Sequence, residues 1–318
     1  MINHRKCAII GCGFVGATTA YSLMQSHLFS EMVLIDINEK KAQGEAEDLN
    51  HGLPFNSPMD IYAGTYADLH DASIIIITAG ANQKPGETRI DLVRTNADIF
   101  RSIVSKIVEQ NTKAILLVVT NPVDVLSYVT LKISGYPANR VIGSGTVLDT
   151  ARLKYLAGRK LGVDYRNVHT FIIGEHGDSE LAVWSSANVS GIDLDKYCEA
   201  NGIDSSKDAL HEVYDNVKNS AYKIIENKGA TYYAIAESVR RIVSAIIRDE
   251  DTILPVSTYV ENYHSISDIT MSLPCIVGRS GIKKVLEIPL DDHELSALKN
   301  SANTLKDVVN SLNSAVMV

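Results

Sequence analysis

Along the first 143 residues, short apolar runs alternate with longer stretches whose apolar positions recur every three or four residues. The runs at 6–10, 32–35, 74–77, 114–119 and 141–143 predict strands. Residues 17–26, residues 39–49 and the segment bearing Ile90, Leu92, Val93, Ile99 and Ile103 predict helices. Ile74 to Ile77 contains no polar position, the pattern of a strand covered on both faces of a parallel sheet. Strands and helices alternating at this spacing predict an α/β fold built on a doubly wound parallel sheet. Beyond residue 144 the rhythm changes. Helices are predicted at 148–161, 209–227, 232–248 and 294–313, with a buried strand at 168–173 and another at 253–257. The stretch 193–208 is polar and interrupted. The chain therefore divides into a sheet domain over 1–143 and an α+β domain over 144–318.

The first strand-to-helix turn reads Gly11-Cys12-Gly13-Phe14-Val15-Gly16. Gly11 permits a tight turn, Gly13 lets backbone approach a pyrophosphate, and Gly16 lets helix and strand pack closely. The second strand ends at Asp36, about twenty residues on, where the acidic partner of an adenosine ribose belongs. The alternative for Asp36 is a helix cap or turn residue. Thr78-Ala79-Gly80 ends the third strand of the alternation with side chains small enough to leave room for a ligand. These features identify 1–143 as a Rossmann-type dinucleotide-binding domain. Asp36 would repel a 2′-phosphate, so the cofactor expected is NAD.

Composition removes whole classes of partner. The 318 residues are 45% hydrophobic and 21% charged, ordinary for a soluble domain. The net charge of −8 argues against nucleic acid or an anionic membrane. The cysteines Cys7, Cys12, Cys198 and Cys275 make no CxxC pair, so reduced thiols in a cytoplasmic chain are expected, with no metal site. No signal-peptide pattern or bilayer-length apolar run is read.

In the second half, His176 stands between Gly174 and Gly177 at the end of the 168–173 strand. Histidine is the side chain suited to moving a proton at neutral pH, and strand mouths are where open α/β sheets bind ligands. A structural histidine in a turn is the plainer reading. Asp149 and Arg152 lie three apart on one helix face, as a surface ion pair or as part of a site. Residues 81–89 form a polar, glycine-bearing segment at the sheet's carboxyl edge, a candidate lid or a simple surface loop. Asn121 ends another strand, offering an amide to a ligand or serving the turn before Pro122.

Together these blocks resemble the L-lactate/L-malate dehydrogenase family across essentially the whole chain. The resemblance is carried by the glycine turn, Asp36, Thr78-Ala79-Gly80, Asn82 to Arg89, Thr120-Asn121-Pro122, Leu148 to Arg152, Gly174-Glu175-His176-Gly177-Asp178 and Leu273 to Gly278. It implies that His176 passes the proton, that Asp149 orients and stabilises the imidazolium, and that Arg89 stabilises charge on the reacting oxygen. Arg152 would grip the substrate carboxylate, with Asn121, Gln83 and Thr231 completing the substrate site. The cofactor set would be Gly11, Gly13, Phe14, Val15, Gly16, Asp36, Thr78, Ala79, Gly80, Asn96, Val119 and Asn121.

The resemblance further implies that substrate choice turns on Gln83, which matches a position where an arginine in the family pairs with the second carboxylate of oxaloacetate. Neutral glutamine favours pyruvate and lactate, in fermentative glycolysis. Malate or another L-2-hydroxy acid is the nearer alternative, and a non-catalytic NAD-binding protein the more distant one. The resemblance also implies a homotetramer. Lys154 and His169 match positions that bind an activating fructose 1,6-bisphosphate in some members, with lysine standing where arginine would be.

Overall fold

The computed structural model of the chain describes residues 2–81, 89–110 and 112–313, the side chains of Arg89, Lys207 and Asn313 excepted. In the first half β1 (Asn3–Ile10) leads into α1 (Phe14–Met24), followed by β2 (Glu31–Ile35), α2 (Glu39–Gly52), β3 (Asp60–Ala63) and β4 (Ala72–Ile77). Then come α3 (Arg89–Glu109), β5 (Ile115–Val118), α4 (Val123–Ser134) and β6 (Val141–Gly143). The second half opens with α5 (Val147–Leu161) and five two-residue strands: β7 (Val168–His169), β8 (Ile172–Ile173), β9 (Leu181–Ala182), β10 (Asn188–Val189) and β11 (Ile192–Asp193). Helices α6 (Leu194–Asn201), α7 (Lys207–Lys228) and α8 (Tyr233–Arg248) follow. Strands β12 (Thr252–Val260), β13 (Ile269–Gly278) and β14 (Gly281–Val285) precede α9 (Asp292–Asn313).

One sheet runs through both halves in the order β14-β13-β12-β6-β5-β4-β1-β2-β3. From β6 to β3 its strands are parallel, with Ile10 level with both Ile35 and Ile77. Chain order reverses between β4 and β1, which opens a crevice at their carboxyl ends. All six residues of β4 are buried, and the β-branched run Ile74 to Ile77 suits the centre of a sheet covered on both faces. The sheet's core continues into α8, β12, β13 and α9, while a smaller core joins α5 to α7 through Leu153, Leu161, Val213 and Val217.

Helix α6 and strands β13 and β14 lie where the sequence pattern named no element, and three further features depart from it. The expected strand over 168–173 is two pieces in two sheets, because side-chain hydroxyls replace the ladder between them. The Thr170 hydroxyl donates to the Val183 carbonyl at 2.6 Å, and the Ile172 amide donates to the Thr150 hydroxyl at 2.8 Å. Second, β12 is nine residues long and internal despite Pro255. It touches β6 only at Ser257↔Gly143, so the proline lies outside the stretch paired with β6, and on its other side it faces Pro274 of β13, which likewise has no N–H to donate. Third, β3 is a four-residue strand of mixed burial at the sheet edge, too short for a periodic signal.

Candidate active site

The crevice between β1 and β4 is framed by glycines. Gly11 has φ +103°, and a Cβ there would lie 2.5 Å from the Ala79 nitrogen. A Cβ on Gly16 would lie 1.8 Å from the Gly11 carbonyl oxygen, so α1 packs against the turn at a distance only glycine allows. Around Gly13 the space is open, with nothing within 4 Å of a Cβ. The Thr78 hydroxyl donates to the Gly11 carbonyl at 2.7 Å, tying the two strand mouths together. Asp36 directly follows β2, half-buried, and accepts from the Cys12 amide at 2.6 Å and the Asn38 amide at 2.8 Å. It therefore shapes the turn and also presents a carboxylate beside it. Open backbone at a helix N-terminus with an acid alongside fits a dinucleotide pyrophosphate and ribose.

The remaining expected cofactor residues cluster at the same edge. Val15 and Ala79 are half-buried, Gly80 is exposed and Val119 is buried. Asn96 is buried, and its amide bridges loops: Oδ1 accepts from the Ala81 amide at 2.7 Å and Nδ2 donates to the Asn121 carbonyl at 3.1 Å. Phe14 is exposed and stacks on Tyr232, with ring centroids 5.4 Å apart. That contact seats the start of α8, and half-buried Thr231 with it, beside the glycine turn. Thr231 is not among the residues lining the substrate-sized cavity described next.

That cavity, of about 390 Å³, opens beside Asn121 and Pro122. Asp149, Arg152, His176, Gly177, Asp178 and Glu180 form one wall, and α7 contributes Val217, Lys218, Ala221 and Tyr222. Its chemical centre is a chain of contacts. His176 Nδ1–H donates to Asp149 Oδ2 at 2.6 Å, and Arg152 Nη1 donates to Asp149 Oδ1 at 2.8 Å. The Asp149–Arg152 pair is not a surface pair, since the side chains keep 5% and 14% of their exposure.

The backbone positions these groups. Asp149 lies in the buried first turn of α5, where the helix dipole favours a carboxylate. The histidine loop is anchored by three separate elements. Gly174 exchanges backbone hydrogen bonds with Ser272 of β13 at 2.9 and 2.8 Å. The Glu175 amide donates to the Ser301 hydroxyl of α9 at 2.7 Å. The His176 amide donates to Asp124 Oδ2 at 2.7 Å.

Burial and pairing set the charges. Burial disfavours the His176 imidazolium, but the carboxylates of Asp149, Asp124 and Glu180 outweigh it and raise the group from 6.5 to about 9. Burial pushes Asp149 upward, yet the attraction of His176 and Arg152 prevails and holds it below the ordinary carboxylate value. Asp124 is raised to about 6 by burial, against the hydrogen bond from the His176 amide. Glu180 is raised to about 8, by burial first and by the Asp149 charge second. At neutral pH the site thus holds a protonated histidine on an ionised aspartate beside an arginine, able to bind a carboxylate and hand a proton to an oxygen.

The fold brings together His176, Asp149, Arg152 and Asn121 as the sequence predicts. Gln83 lies outside the described residues. Arg89 opens α3, but its side chain also lies outside them. Asp124 and Glu180 escaped sequence reasoning. Each adjoins a motif already in view, two residues after Pro122 and two after Asp178, but only burial distinguishes them from ordinary acids. His169 is exposed on β7 and Lys154 half-buried on α5, where burial lowers its ammonium below the usual lysine value.

Comparison with known proteins points one way. Residues 5–143 match the NAD-binding domain of lactate/malate dehydrogenases, and residues 146–316 match the family's α/β C-terminal domain. The chain is 56% identical over 308 residues to an L-lactate dehydrogenase of Acetivibrio thermocellus, covering 97% of each. It is 54% identical to one from a Thermoanaerobacter species, covering 96% of this chain and 99% of the relative. Among solved structures, a lactate dehydrogenase from a Medee basin deep-sea metagenome library superposes with TM-score 0.95 at 43% identity, over 98% of this chain and 100% of the other. The minor L-lactate dehydrogenase of Enterococcus mundtii superposes with TM-score 0.94 at 43% identity, over 97% and 98%.

Proposed function

The chain belongs to the lactate/malate dehydrogenase family, and from that premise we propose that it interconverts pyruvate and (S)-lactate with NADH and NAD, as the relatives' names imply. The observation that carries the reading is the buried Asp149 carboxylate, shared between His176 and Arg152 on the wall of a cavity at the sheet's carboxyl edge. In the division of labour we propose, residues 1–143 hold the dinucleotide and 144–318 act on the substrate.

The glycine turn of 11–16 and Asp36 would hold NADH, whose chemistry there would be hydride donation to the carbonyl carbon. His176 holds the proton that the carbonyl oxygen takes up as it becomes a hydroxyl. With Nδ1–H engaged on Asp149, Nε2–H is the donor left for that oxygen. Asp149 keeps the ring in one orientation and favours its charged form before transfer. Arg152 meets the substrate carboxylate while one nitrogen stays on Asp149, a charge-assisted grip that also fixes which face of the carbonyl is presented. Asn121 lines the cavity from the dinucleotide side. In the reverse direction neutral His176 accepts the hydroxyl proton. Arg89 is assigned the stabilisation of charge on the reacting oxygen, and Gln83 the choice of pyruvate over oxaloacetate.

The reading extends to assembly and control. Lys154 is assigned with His169 to a fructose 1,6-bisphosphate site in a homotetramer. Exposed aromatics support a covered surface there: Tyr155, next to Lys154, lies 6.0 Å from Tyr165, and both are about half exposed. Among the described residues no helix is long and apolar enough to cross a membrane. A cytoplasmic setting is assigned to the enzyme.

The test is initial rates of NADH oxidation with pyruvate and with oxaloacetate, each with and without fructose 1,6-bisphosphate. Faster turnover of pyruvate is expected. Preference for oxaloacetate would overturn the substrate assignment. A bisphosphate that changes neither the KM for pyruvate nor the assembly state would overturn the regulatory one.

A further inference from the structure

Glu180 lines the same cavity four residues beyond His176, with only 7% of its surface exposed. A carboxyl oxygen of Glu180, an imidazole nitrogen of His176 and a carboxylate oxygen of Asp149 all lie within 4.8 Å of one another. Two carboxyl groups this close in a buried site do not both ionise readily, so their affinities for a proton separate. The contacts show which one is charged. Asp149 receives both the His176 Nδ1–H and the Arg152 Nη1. The other groups facing Glu180 leave it without a matching cation. From α7, Lys218 directs its ammonium to the Asp178 carbonyl at 2.9 Å, and the Tyr214 hydroxyl donates to the Glu180 backbone carbonyl. From its own loop come His176, committed to Asp149, and Asp178, another acid.

Resting on the pyruvate–lactate reading, we propose that Glu180 is a positioning acid: it keeps its proton at neutral pH, leaving the cavity the net positive charge an anionic 2-oxo acid needs, and its ionisation closes the site to substrate on the alkaline side.

The charge count shows what the proton does. Asp149 and His176 cancel, as do Asp178 and Lys218, so among the described lining residues Arg152 leaves one positive charge. Ionised Glu180 cancels it, and the cavity then offers no net attraction to a carboxylate. Burial and the Asp149 charge place this ionisation at about 8, just below the loss of the His176 proton at about 9. Between pH 7 and 10 the site therefore sheds two protons, and both are needed for pyruvate to bind and react.

The proton count is what an experiment reads. The alkaline limb of kcat/KM for pyruvate should approach a hundredfold fall per pH unit in the wild-type enzyme. In Glu180→Gln it should approach tenfold per pH unit, because only His176 still titrates, and Glu180→Asp should restore the steeper limb. The loss should appear in KM for pyruvate before kcat. A purely structural role would move neither slope. Independently, ¹³C NMR of the enzyme labelled at glutamate carboxyls should show one resonance titrating near 8, absent from Glu180→Gln and, should the amide not fold, equally absent from Glu180→Asp, whose side chain carries no label. Parallel limbs in wild type and variant, or a Glu180 carboxyl titrating near its ordinary 4.5, would overturn the proposal. Absence of NADH oxidation with pyruvate at every pH would be a failure of the functional reading instead, and the carboxyl titration would still decide whether Glu180 holds its proton.

Discussion

Replacing Asp149 by asparagine isolates the central interaction, because the amide keeps the size of the side chain and removes its charge. In the native site, His176 rises from 6.5 to about 9 although its burial pulls the other way. A rise of that size corresponds to ~3 kcal/mol of preference for the charged ring, or about 300-fold in the protonation equilibrium. Asp149 is the largest contributor to that preference, at 2.6 Å. In Asp149→Asn the burial remains and the carboxylate is gone, so His176 should titrate at or below 6.5. At pH 8 only about 3% of the ring would then be protonated, a loss of ~30-fold in available donor. The amide can also bond the wrong ring nitrogen, and Arg152 loses its anion. Together these should lower kcat/KM for pyruvate on the order of 10²- to 10³-fold at pH 8. The assay is the initial rate of NADH oxidation from pH 5 to 10, with NADH fluorescence titration to confirm that the cofactor still binds. The diagnostic result is the position of the His176 step within the alkaline limb, which should move from about 9 to 6.5 or below, with part of the activity recovered in acid. A limb that stays near 9, or a loss under fivefold at pH 8, would refute the assignment of Asp149 as the group that charges His176.

Other substitutions separate the roles of neighbouring residues. His176→Ala should retain NADH binding by fluorescence while pyruvate reduction falls about 10³-fold, and wild-type turnover would remove His176 from the mechanism. Gly16→Ala places a Cβ 1.8 Å from the Gly11 oxygen, so α1 must shift. The dissociation constant for NADH should rise at least ~10-fold and stability fall by roughly 1–3 kcal/mol in thermal unfolding, and an unchanged NADH titration would contradict the packing described. Asp124 is held at about 6 in the folded protein against an ordinary 3.8. The folded state thus binds this proton more tightly than the unfolded chain, and stability falls as pH climbs through that window by ~3 kcal/mol. Asp124→Asn lacks this penalty, so denaturant unfolding should show its stability relative to wild type improving by about that amount between pH 4 and 7. A gap that stays constant with pH would show that Asp124 is not the buried acid described here.

The arrangement explains how the histidine to which proton transfer is assigned can be held firmly on a turn. His176 is not placed by its own strand, which breaks after two residues. It is placed by β13 through Ser272, by α9 through Ser301 and by α4 through Asp124. Because Asp124 follows the strand mouth that carries Asn121, the loop that carries His176 is tied directly to the dinucleotide crevice. Phe14 on Tyr232 and the Ser22 hydroxyl on Glu237 at 2.7 Å form a second tie, between α1 and α8.

Much of this was legible in the chain. The run at β4 could only be a strand covered on both faces, and the glycines of 11–16 between strand and helix have one compact geometry. The spacing of Asp149 and Arg152 put them on one helix face, and glycines around His176 marked a turn open to a ligand. These are local statements, and local steric and hydrophobic periodicity suffices to make them. The rest depended on segments far apart in sequence. Hydroxyls of Thr150 and Thr170 divide an apparently continuous strand, and β12 to β14 extend the sheet of the first half, though nothing in their own pattern names β6 as their neighbour. Asp124 and Glu180 read as unremarkable acids until burial raises one to about 6 and the other to about 8. Charge state is the property the sequence could not supply, because a pKa depends on distance and desolvation, and both exist only once the chain has closed around the site.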